Sequence, residues 1–362
     1  MKERKANYIY MEYLRVLCAF MVIMIHVSGA DWFKIEIGSP DWIIQTFFNV
    51  GARFSVCVFC MISGALFLKP DREVTVRDIF GKYIRRIMIC FIAWTVFYAA
   101  FYTFLDSGDA EYFLLRLFKI PKHLWYLLMM VGLYLALPVL KVITKDRRIT
   151  LYMIWLLLIY AAVFGTFEGL TVFFKTKAAG NLGFTLWEAF LQDLYNLNMT
   201  FVPGYLGLFL MGHYIHEYGL GRWHRPLVFC AVPALLLSGL LTVITSRATG
   251  SYVYTFMFET NPLIAAASAG IFAFFKGTGS GETKESTGSF FDQAAVRTGA
   301  YTMGIYLVHL AVLDVFEHYF NLTVASYPPL FSIPLNSLLV CAVSLAVTAV
   351  LKKIPLIRNT VS

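Results

Sequence analysis

The chain has 362 residues, of which 59% are hydrophobic and only 14% charged, and its mean hydropathy is +0.68. Soluble domains carry about 25% charged residues, so the composition excludes one and predicts an all-α polytopic membrane protein embedded in a lipid bilayer. The net charge of +8 reads as bias in the connectors, not as a nucleic-acid surface, and no nucleic-acid partner is expected.

Ten apolar segments are legible in order: about 8–29, 43–68, 84–105, 124–141, 150–173, 200–216, 226–246, 260–276, 298–320 and 332–352. The first, Tyr8 to Gly29, is too long and too polar inside for a signal peptide, and it lacks a small-residue cleavage site. It carries Glu12, Arg15 and His26, each costing roughly 2.5–3.5 kcal/mol inside a span. The step from Arg15 to His26 is three helical turns plus about 20°, with about 16 Å of rise, and Glu12 lies one turn before Arg15 on nearly the same side. One stripe of the first span therefore bears an acid, a permanent cation and an imidazole, and must face a polar interior.

The connectors set the orientation. The N-terminus, alternate connectors and the C-terminus together hold 21 of the 30 basic residues, and the other side holds seven; Arg15 and Arg53 remain inside spans. That asymmetry predicts both termini in the cytoplasm, which an even span count also requires. The connector 174–199 is aromatic and acidic and reads as an interfacial helix, while 277–288 is a polar linker. The expectation is a single membrane domain over 1–362.

All six cysteines fall in apolar runs and read as small buried hydrophobes. Cys57 and Cys60 have CxxC spacing but no second pair. His213, His216 and His224 cluster near the end of the sixth span without a carboxylate or HExxH pattern, so no metal is expected.

The remaining intramembrane polar residues are few. Arg53 lies too deep in the second span to snorkel easily, and calls for a buried partner or an anionic ligand. Ser63-Gly64 follows in the same span, as a packing motif or a site. His309 sits mid-way along the ninth span, as a satisfied core histidine or a site residue, with Asp314, Glu317 and His318 beyond it. A cavity shared by His26, Arg53 and His309 is geometrically allowed. His26 suits a general base or an acyl-accepting nucleophile, or else it caps a helix end. Arg15 pairs with Glu12 or orients an anion. Lys82, Arg85 and Arg86 either anchor the third span to the headgroups or dock phosphates. His123, Trp125 and Tyr126 serve equally as aromatic-belt or site residues.

These residues resemble the acyltransferase-3 family of integral membrane acyltransferases, over essentially the whole chain. Arg15 and His26 match its Arg-x10-His motif, and Glu12 matches the acidic position before it. FMISGALFL resembles its F-x-x-S-G segment, HLWYLLMMVGLYLALPVL its H-L-W-Y/F-L segment, and IYLVHLAVL its histidine-bearing late helix.

The resemblance implies an O-acetyltransferase of the bacterial plasma membrane. The donor is acetyl-CoA, a co-substrate, and the acceptor is a hydroxyl of a surface polysaccharide or lipid-linked sugar. It implies catalytic roles for His26, Arg15, Glu12, Arg53 and His309, with Arg53 or His309 stabilising the thioester oxyanion. It places the donor at Lys82, Arg85 and Arg86 with Ser63. The family's Arg-x-x-Arg motif is met imperfectly by Lys82 and Arg85, and Arg86 offers a second register. The esterase-like domain fused to some members is not expected here. A transporter or flippase for a small polar or glycolipid substrate is the alternative, since it too would place ionisable groups in spans.

Overall fold

The computed structural model describes residues 8–175, 203–278, 289–358, 360 and 361. The expected interfacial helix within 174–199 lies outside these residues but for the first two positions, as does the linker 277–288. Most of the described residues are helical, with no strand among them.

The helices run α1 Ile9–Gly29, α2 Pro40–Ala52, α3 Phe54–Phe67, α4 Arg85–Leu105, α5 Ala110–Phe118, α6 Trp125–Ile143 and α7 Arg147–Lys175. They continue as α8 Pro203–Tyr218, α9 His224–Thr249, α10 Pro262–Thr278, α11 Phe290–Gly299, α12 Thr302–Phe320 and α13 Pro329–Leu351. Each of the ten expected spans falls on a helix, the second on α2 and α3 together. By length and apolarity seven helical segments among the described residues suffice to cross a membrane, or eight if the α11–α12 pair, bent by 65°, is one span. Of the ten, α7 and α8 border the undescribed stretch.

Helix α1 is the hub, packing against α2, α3, α10, α11, α12 and α13. Its buried side chains divide between two apolar clusters. Tyr10, Met11, Leu14 and Cys18 join a core built with α3, α6, α8 and α10. Val22, Ile23, Ile25 and Val27 join one built with α4, α12 and α13. Outward positions remain apolar, including Ile89, Ile92 and Val96 of α4, Leu135 and Val139 of α6, Phe229 and Val232 of α9, and Leu335 and Leu338 of α13. Apolar surface on that scale fits lipid and not water.

The two ends of the bundle differ chemically. At one end the lysines cover carbonyls where helices finish: Lys141 Nζ donates to the carbonyls of Lys69 and Arg72, Lys276 Nζ to those of Ile215 and His216, and Lys352 Nζ to that of Ala300. The last carbonyls of a helix lack intrahelical partners and carry its negative dipole end, so an ammonium there is favourable. Tyr8 and Tyr10 reach the same end through Lys69 and His216, and Tyr13 through Asp292. The first and last spans thus share this basic end. At the far end Tyr252 bonds the carbonyl of Ile35, and Tyr102 bonds Asp314.

Helices α3 and α8 cross with backbones nearly in contact. A methyl group on Gly64 would collide with the backbone of Phe209, and one on Gly212 with that of Met61. Gly64 therefore serves as the packing half of the Ser63-Gly64 pair.

Candidate active site

The polar stripe of α1 faces the bundle interior along its length. At the basic end Glu12 is buried, its carboxylate against Gly299 of α11, and accepts from Arg15 Nη1 at 2.5 Å. The remaining donors of Arg15, which is half-buried, have no partner among the described residues. The pair satisfies the buried acid and leaves a guanidinium edge open.

Near the far end of α1, His26 is half-buried and lies beside a chain of two further imidazoles. Its ring centroid lies 5.1 Å from that of His309 on α12, and His309 lies 5.4 Å from His123. His309 is fully buried, with Nδ1 2.7 Å from the carbonyl oxygen of Tyr306 one turn earlier. His123 precedes α6 and is buried with neither ring nitrogen hydrogen-bonded. Tyr306 holds the His123 backbone by donating to its carbonyl. Tyr98 of α4 fastens α12 beside His309, donating to Leu307 O at 2.8 Å and accepting from Ala311 N. His123 thus stands inside the site, while Trp125 is exposed as a belt residue would be.

Arg53 sits where α2 gives way to α3. Its Nε donates to Asn49 Oδ1 and its Nη1 to Glu259 Oε1, both at 2.9 Å. Asn49 Nδ2 in turn donates to the carbonyl of Ile25 at 2.8 Å and to Ser28 Oγ at 3.1 Å. The Arg53 network therefore grips α1 on both sides of His26. Asn49 and Glu259 escape a reading of the sequence: Asn49 is one amide among many, and Glu259 falls in a connector just before the eighth span. The available signal was the depth of Arg53, which called for a buried partner or an anionic ligand; the partner is Glu259.

Between the basic end and His26 runs a seam where the two apolar clusters meet. Met21, Phe59, Ile87, Tyr126 and Tyr205 touch both clusters, and all are half-buried. Ser63 adjoins the seam one turn after Phe59, to whose carbonyl its hydroxyl donates at 3.0 Å. Towards the basic end the rings of Phe67, Tyr83 and Tyr134 pack together, with centroids 4.7 to 5.8 Å apart. The Arg72 guanidinium lies over Phe67.

Tyr83 belongs to a π-helical segment, Ile79–Ile84, that leads into α4. Such wide turns are rare and recur at functional sites. A capping box of Thr75 and Asp78 opens it. Lys82, Arg85 and Arg86 are exposed here, and none makes an ion pair among the described residues. Three unneutralised cations stand beside the Phe67, Tyr83 and Tyr134 rings.

The other flagged histidines lie elsewhere: His213 is buried in α8, and His216 Nδ1 is 2.6 Å from Tyr10 Oη. Among the described residues no three potential ligands gather around a metal position. Cys57 and Cys60 are buried thiols that donate to the carbonyls of Glu259 and Tyr205.

The family model for an acyltransferase domain of the acyltransferase-3 type matches residues 8–353. Neither a curated protein nor a solved structure matches the chain. Because that match takes in nearly every residue from the first span to the last, the protein belongs to the acyltransferase-3 family and is a multi-pass membrane acyltransferase.

Proposed function

We propose that the protein transfers an acetyl group from cytoplasmic acetyl-CoA to a hydroxyl of a surface polysaccharide or lipid-linked sugar, in the plasma membrane of a bacterium. The observation that carries this reading is the position of His26, half-buried on α1 beside His309 and flanked by the Arg53 network. The basic end faces the cytoplasm by the positive-inside rule. Phosphates of the donor dock on Lys82, Arg85 and Arg86, where arginine forks and a lysine point charge suit them. The pantetheine arm follows the seam past Ser63 and Tyr126.

At the thioester, His26 removes the proton of the acceptor hydroxyl, the new C–O bond forms, the C–S bond breaks, and the thiolate of coenzyme A takes the proton. Alternatively His26 carries the acetyl group itself before handing it on. Arg53, clamped at Nε and Nη1, presents Nη2 to the oxyanion. Glu12 holds Arg15, which faces the incoming anion.

The test is transfer of label from radioactive acetyl-CoA to the ester fraction of membrane vesicles containing the full chain. His26→Ala abolishes transfer on this reading, and full transfer by that variant refutes it. Acetyl-histidine trapped without acceptor selects the covalent route. Thermal stabilisation by acetyl-CoA, lost on replacing Lys82, Arg85 and Arg86, separates the enzyme from a transporter.

A further inference from the structure

Resting on that reading of His26, we infer that His309 is the proton-holding partner of His26, with His123 closing the pocket behind it, and that His309 does not act as an oxyanion donor. The argument begins with a carbonyl. Tyr306 O accepts hydrogen bonds and cannot donate, so His309 Nδ1, 2.7 Å away, carries a hydrogen. In the neutral ring the proton is thereby committed to Nδ1, and Nε2 presents a lone pair. That nitrogen is buried and has no hydrogen-bond partner, and an orphaned buried acceptor is costly unless it has a use. A neutral imidazole in this tautomer has nothing to donate to a thioester oxyanion. It can accept.

The imidazole beside it on α1 is His26, whose ring centroid is 5.1 Å away at an interplanar angle of 46°. The other groups around His309 compete little for the role. Tyr98 of α4 is spent on Leu307 O and Ala311 N, and the hydroxyl of Tyr306 is spent on His123 O. Helix α13 brings no charged side chain, and Asp314, farther along α12, is bonded to Tyr102. Arg53 on the α1 side is tied to Asn49 and Glu259; Lys122, beside His123, is exposed. The ring of His123 packs edge-on against His309 at 5.4 Å.

The step balances as follows. The acceptor O–H proton passes to His26, and its far nitrogen gives a proton to His309 Nε2. The acceptor oxygen bonds the thioester carbon as the C–S bond breaks. The proton then returns through His26 to the coenzyme A thiolate. Nothing is oxidised or reduced, and His309 ends as it began. Its tautomer is restored because Nδ1 never leaves the Tyr306 carbonyl.

The test uses the full chain in membrane vesicles, with radioactive acetyl-CoA as donor and the vesicles' own acceptor. In His309→Asn the side-chain amide reproduces the Nδ1 donor to Tyr306 O but has no basic nitrogen, so the fold is kept. The expected result is a loss of about 10²-fold or more in transfer rate, the size of a lost acid–base group, with thermal stabilisation by acetyl-CoA unchanged. His309→Gly, which leaves a ring-sized space, regains activity when free imidazole is added. Transfer within about threefold of the wild type in His309→Asn overturns the inference, as does a loss in His309→Gly that imidazole does not relieve. Retained transfer in His26→Ala overturns the underlying reading instead, so the two failures are distinguishable.

Discussion

Arg53 and Glu259, 206 positions apart in the chain, form an ion pair with Nη1 2.9 Å from Oε1 where α2 passes into α3. Both side chains are largely withdrawn from solvent, at 24% and 9% exposed. Removing one partner leaves a charge without its counter-ion in a low-dielectric interior, which costs on the order of 3 kcal/mol, whereas replacing both with apolar groups is often near neutral. Glu259→Leu is therefore expected to lower the melting temperature in detergent, and Arg53→Met/Glu259→Leu to recover most of it. Transfer stays lost in the double variant if Arg53 serves the reaction. A stable and fully active double variant shows the pair to be structural only.

The crossing of α3 and α8 makes a second prediction. A methyl on Gly64 or Gly212 meets backbone rather than a movable side chain, so Gly64→Ala and Gly212→Ala each destabilise by about 1–3 kcal/mol or more, the usual cost of overpacking. Gly51→Ala is the control, since nothing lies within 4 Å of the added methyl. Size-exclusion profiles and thermal melts of the purified chain check both. Equal stability of all three removes the close-crossing account.

At the basic end, Arg85→Ala is expected to raise the KM for acetyl-CoA about tenfold, as for one lost charge-assisted hydrogen bond. The melting temperature should not move, because Arg85 is exposed and makes no ion pair among the described residues. The effect should shrink at high salt, which screens exposed charges. An unaltered KM at low salt places the donor phosphates elsewhere.

Asp292 gives a pH prediction. The hydroxyl of Tyr13, 2.8 Å away, and the Ser289 backbone hold its carboxyl below the usual carboxylate range. A carboxyl whose folded pKa is depressed adds stability above its unfolded pKa of about 3.9, and that contribution fades as pH falls through the folded value. Melting temperatures measured from neutral down to about pH 3 should therefore fall less steeply in Tyr13→Phe than in the wild type. Parallel acid limbs in the two proteins contradict the link.

Much of the fold was legible because the information is local. Hydropathy marks each span, and charge in the connectors orders them. The step from Arg15 to His26 alone puts both on one stripe. Ser63-Gly64 was ambiguous, and the crossing at Phe209 decided for packing at Gly64. His123 was ambiguous too, since a histidine beside a tryptophan at a span boundary looks like a belt residue until its ring is found against His309.

What the sequence by itself determined was an all-helical membrane protein whose first span needs a polar interior. Periodicity and the cost of burying charge are properties of one segment and need no partner. The tertiary structure alone decided that His26 meets His309 and His309 meets His123, that Arg53 finds Glu259, and that two apolar clusters adjoin along α1. Each of these joins residues from helices far apart in the chain. Their meeting depends on how whole helices pack together, which no single helix encodes; the glycines at 64 and 212 permit one such close crossing, of α3 and α8.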